Sequence, residues 1–126
     1  MKVHARTLVP SEIPARVEPY TRQTFTTVGK EYEVHAVAVS DGIPFLQFVD
    51  DQGYPAWIPS LVFDLADTAI PTDWICNPIS TNDGGSLVLL GPDFIAKDED
   101  SYAAMVELHA DQVDRFWKRV DSLFSG

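Results

Sequence analysis

The dipeptide Asp41-Gly42, set between two apolar stretches, constrains this chain more than any other feature. Asp-Gly favours a two-residue type I′ turn, because both central positions need positive φ. Residues 31–39 before it alternate. Tyr32, Val34, Ala36 and Ala38 point one way and Glu31, Glu33, His35, Val37 and Val39 the other, the period-two pattern of a strand. Residues 43–50 form the returning strand. A two-residue loop fixes the register, placing Ala38 opposite Phe45, His35 opposite Phe48 and Glu33 opposite Asp50. The last pair sets like charges side by side, so the ladder is expected to stop before it, or the chain keeps an acidic spot there. Both faces near the turn are apolar, so the hairpin needs cover on both sides.

After the polar turn Asp50-Asp51-Gln52-Gly53 comes Tyr54-Pro55-Ala56-Trp57-Ile58-Pro59. Two prolines leave room only for a short edge strand, since proline donates no ladder hydrogen bond. Residues 60–65 read as one helical turn or a bulged strand. Residues 66–73 are a turn-rich connector to a short strand at 74–77, and Asn82-Asp83-Gly84-Gly85 is a further turn. The run SLVLL at 86–90, closed by Gly91-Pro92, has the length and flanks of a buried strand. About five short strands at this spacing fit a small curled antiparallel sheet, SH3-like or a partly open barrel.

Asp98-Glu99-Asp100-Ser101 opens a helix, with acids placed to favour its N-terminal dipole. Tyr102, Met105, Val106, His109, Val113, Phe116, Trp117, Val120 and Phe124 then recur mostly at spacings of three and four, one apolar stripe. Ala110-Asp111-Gln112 resembles a fresh start, so a break is expected near His109; a strand over 102–108 is the alternative. Residues 1–27 have no clean period and read as an N-terminal arm or edge segment, with Arg16 and Arg22 bracketing Glu18-Pro19-Tyr20-Thr21. The expected organisation is one α+β domain, with the sheet in 28–90 and a C-terminal helix or helix pair in 98–124.

A chain of 126 residues can bury an ordinary core. No apolar run approaches the roughly 20 residues of a membrane span. Residues 1–17 lack the apolar stretch of a secretory signal, so a cytoplasmic location is expected. Cys76 is the sole cysteine, which excludes an internal disulfide and suits a reducing compartment. It reads as a small buried apolar residue, because no base or cation that would activate a thiol is signalled nearby.

The net charge of −10 is unevenly spread. Residues 31–96 contain no lysine or arginine but ten acids: Glu31, Glu33, Asp41, Asp50, Asp51, Asp64, Asp67, Asp73, Asp83 and Asp93. Such a stretch cannot neutralise itself locally. Its negative potential disfavours nucleic acid, whose binding needs cations to displace counterions, and favours a basic partner, a metal ion, or solubility alone.

Catalytic signatures are missing. His4, His35 and His109 stand far apart, none with a second histidine or a cysteine at metal-ligand spacing, and His35 and His109 read as hydrogen-bonded core residues. There is no P-loop, dinucleotide glycine pattern or G-x-S-x-G elbow. Asp83-Gly84-Gly85-Ser86 precedes a strand instead of opening a helix, so it is no phosphate cradle. No catalytic residue, metal ligand or cofactor is assigned, and the chain is expected not to be an enzyme. The candidate partner-binding residues are Glu33, Asp50, Asp51, Tyr54, Trp57, Asp64 and Asp67. Aromatics anchor a contact and carboxylates steer a basic partner to it. If Trp57 and Trp74 are core, the acids around them are ordinary rim.

The segments VGKEYEVH at 28–35, Asp50-Asp51, Pro55-Ala56-Trp57-Ile58-Pro59-Ser60, Leu61-Val62-Phe63-Asp64-Leu65 and Trp74 together resemble small bacterial immunity proteins found beside polymorphic or contact-dependent toxins. The likeness covers residues 28–76, and Ile58 stands where the family pattern has tyrosine. It implies a soluble, non-enzymatic cytoplasmic inhibitor. Together with the base-free acidic stretch, it leads to the expectation of a monomer or homodimer that covers the active site of a basic toxin domain such as a nuclease. The alternatives are a small metal-dependent hydrolase using clustered carboxylates and a peptide-binding adaptor.

Overall fold

A computed structural model describes residues 1–21, 24–81 and 83–124. Arg22, Asn82 and the side chain of Phe124, named above, lie outside the described residues. The elements are β1 (Lys2–Ala5), β2 (Glu31–Glu33), β3 (Ala36–Ser40), β4 (Ile43–Val49), β5 (Pro55–Pro59), β6 (Phe63–Asp67), β7 (Ile75–Ser80), β8 (Ser86–Gly91), α1 (Asp93–Ala96), α2 (Glu99–Val106) and α3 (Ala110–Phe124). Short 3₁₀ turns lie at Pro10–Glu12, Glu18–Thr21 and Ser60–Val62.

The α+β class and the C-terminal helix pair are as expected. The strands, however, form two antiparallel sheets that do not close into a barrel: β2-β1-β6 and β5-β4-β3-β8-β7. The hairpin at Asp41-Gly42 has the anticipated register, with Ala38 opposite Phe45 and Ser40 opposite Ile43. Both turn residues hold positive φ, 48° and 82°, the geometry a type I′ turn requires.

The like-charge pair is avoided by a change of sheet. The Val34 amide donates to the Met1 carbonyl (2.8 Å), whereas the next amide, that of His35, donates to the Gln47 carbonyl (2.8 Å). Residues before this corner pair with β1, setting Lys2 opposite Glu33. Those after it pair with β4. Corners of this kind join packed sheets by letting one strand serve both. The first residues are therefore no arm or edge: β1 is the middle strand of the small sheet, flanked by β2 and β6.

The five-stranded sheet is covered on both faces, as its two apolar faces require. On one side Leu46, Phe48 and Ile58 meet Val3, Tyr32 and Phe63 of the small sheet and Val34 at the corner. On the other, Ala36 packs with Ile95, Met105 and Phe116, and Ala38 with Leu87, Leu89 and Ala96. The helix pair breaks at the expected place. Asp98 caps α2 by accepting from the Ser101 amide (2.7 Å), and Leu108 turns the chain at φ 56° before α3 begins. Residues 99–106 are helical, so the strand alternative for this segment is set aside. Among the described residues no helix is long and apolar enough to cross a membrane.

Two local expectations are corrected. Cys76 is exposed, because β7 is an edge strand with little packed over it. His109 is not in the core: it falls at the helix break, is exposed, and lies 2.9 Å from Glu107. His35 is buried, with its ring edge-on to Phe116 at 5.1 Å.

Candidate acidic binding face

The small sheet has one solvent face, and its side chains are mostly charged. In β1 the pattern alternates, Val3 and Ala5 buried against the core, Lys2 and His4 exposed. On β2, Glu33 stands opposite Lys2 and Glu31 opposite His4. Across on β6, Asp64 is opposite His4, and after a bulge Asp67 is opposite Lys2. Four carboxylates thus surround one lysine and one histidine. Glu33 lies 3.5 Å from the N-terminal amine and Glu31 3.7 Å from the His4 ring, surface pairs that contribute little to stability and leave both available to a partner. Asp67 accepts from the Ala69 amide at 2.9 Å.

β6 is an edge strand, and Leu65, 58% exposed, is opposite Val3, so it lies on the other face of the small sheet from Asp64. Glu31 was not among the sequence candidates, although the period-two pattern marks it as lying on Glu33's side of the strand.

Asp50 and Asp51 have internal duties. Asp50 is nearly buried, and its Oδ1 accepts from the amides of Gln52 and Tyr54, both at 3.0 Å, folding the β4–β5 turn. Asp51 accepts from the Thr27 hydroxyl (2.6 Å), the Lys30 ammonium (2.9 Å) and the Tyr32 hydroxyl (2.8 Å). These donors, Thr27 foremost, hold its carboxyl down at about 2 by favouring the charged form. The reciprocal contact raises Lys30, while Tyr32 is raised chiefly by burial. Asp51 thus fastens the turn to the edge of the small sheet, leaving Tyr54 57% exposed beside it.

Between β2, that turn and α3 runs a groove of about 340 Å³, with Glu31, Glu33 and Asp50 on its walls, Trp117 and Val120 on its helical side, and His35 lining it. Burial, then the positive charges of Arg119 and the N-terminus, push His35 down to about 4. Arg119 makes a two-pronged ion pair with Asp73 across the helix-to-loop contact. Among the described residues, no three His, Cys, Asp or Glu side chains gather to hold a metal ion.

Of the seven sequence candidates, Glu33, Asp64 and Asp67 therefore share the small sheet, and Asp50, Asp51 and Tyr54 share the adjoining turn. Trp57 stands apart. It lies on the helix side of the large sheet, edge-on to Tyr102 at 5.3 Å, with its indole N–H buried and unpartnered. No family model, curated protein or solved structure matches the chain.

Proposed function

We propose that the chain is a non-enzymatic binding protein whose acidic sheet face receives a basic protein partner, in the manner of an immunity protein that covers the active site of a toxin domain. The observation that carries this reading is the gathering of Glu31, Glu33, Asp64 and Asp67 on one exposed sheet face around Lys2 and His4. Opposed potentials steer encounter and set register, and the exposed Tyr54 supplies contact area at the adjoining turn.

Capture tests it. Tagged protein incubated with an extract of its native host is expected to retain one basic protein in stoichiometric amount at low salt, with retention falling as salt rises. An empty capture at both low and moderate salt contradicts the reading.

A further inference from the structure

On the other side of the large sheet, near the Asp41-Gly42 turn, Tyr20, Phe45, Trp57 and Tyr102 surround an open pocket of about 250 Å³, completed by Ser40 and Val106. The four rings come from a 3₁₀ turn, β4, β5 and α2, and meet as two edge-on pairs. Tyr20 and Phe45 are 5.4 Å apart at 89°, and Trp57 and Tyr102 are 5.3 Å apart at 79°. Tyr20 is 55% exposed, so the pocket opens to solvent.

Three features define its ligand. Ring faces carry negative charge and attract cations. Among the described residues the lining contains no carboxylate and few acceptors, which disfavours a primary ammonium that must keep strong hydration. Among the described residues the lining bears no cationic side chain, in a protein of net charge −10. Its volume lies just below the about 300–1,000 Å³ of pockets that hold drug-sized molecules, which suits one headgroup.

We infer that this pocket binds a trimethylammonium group, held by cation–π contacts to Tyr20, Phe45, Trp57 and Tyr102. The site is independent of the acidic-face reading, since it lies on the opposite face of the large sheet from the small sheet.

The test is titration of the full chain, followed by tryptophan fluorescence and calorimetry, with choline, with a peptide carrying trimethyllysine, and with 3,3-dimethylbutan-1-ol, the uncharged isostere of choline. Saturable binding of choline or of the peptide is expected, with the isostere at least tenfold weaker; the stronger of the two cations identifies the source of the group. Tyr20→Ala removes an exposed ring and is expected to weaken the cation by about three- to thirty-fold, the loss of one cation–π contact, with unchanged thermal unfolding. Equal binding of choline and its isostere, or no saturable binding of either cation at millimolar concentration, overturns the inference.

Discussion

Lowering the pH from 6.5 to 4 is expected to remove about 3 kcal/mol of folding stability through one residue, His35, and a His35→Gln variant is expected to lack that loss. His35 is 4% exposed and its folded value is pushed down to about 4 from 6.5. The cause is first burial, which disfavours the charged ring, and then the nearby positive charges of Arg119 and the N-terminus. Between those values the unfolded chain binds a proton that the native chain refuses, so stability rises with pH there. The contribution is complete above pH 6.5 and is lost as the pH falls through 4. At about 1.4 kcal/mol per pH unit the gap gives about 3 kcal/mol. Glu33 and Asp50 line the same groove, so the reading is the difference between wild type and variant in urea unfolding at pH 7, 5.5 and 4. Parallel pH dependences would contradict the burial of a neutral His35.

Replacing Gln47 with leucine is expected to stabilise the protein by about 1–3 kcal/mol, the cost of burying polar groups without partners. Gln47 sits in the middle of β4 with Ala36 and Trp57 on either side. It is fully buried, and neither its amide nitrogen nor its amide oxygen has a protein partner. Ile95, Met105 and Phe116 fill the surrounding layer, so leucine enters an apolar site. Chemical denaturation should show a higher midpoint with an unchanged slope. A lower midpoint would mean that the amide is satisfied, for example by an internal water.

What the sequence made legible was local. Asp41-Gly42 carried the hairpin register, Asp98 and the Ala110-Asp111-Gln112 restart carried the helix boundaries, and the two apolar faces near the turn required cover on both sides. The small sheet was hidden because it is entirely non-local. β1 is four residues long, has no turn partner, and pairs with strands beginning at Glu31 and Phe63. Without β1 in the middle, nothing joins Glu33 to Asp64 and Asp67. The alternation through residues 31–39 also runs unbroken across the sheet corner, since Tyr32 and Val34 face one core and Ala36 and Ala38 others. Charge in the sequence did not separate duties either. Asp50 and Asp51 look like steering acids, but their hydrogen bonds hold the β4–β5 turn.

That division decides where the interface is to be probed. Reversing Asp50 or Asp51 would break the turn along with any contact, whereas Asp64 and Asp67 are exposed on an edge strand, Asp67 accepting only a local hydrogen bond from the Ala69 amide. The most direct measurement is the association rate of the captured basic protein with wild type and with an Asp64→Lys, Asp67→Lys variant across a range of salt. The account predicts association slowed by about tenfold at low salt, converging with wild type as salt screens the charges. Identical rates and identical salt dependence in a folded variant would remove the acidic sheet face from the interface.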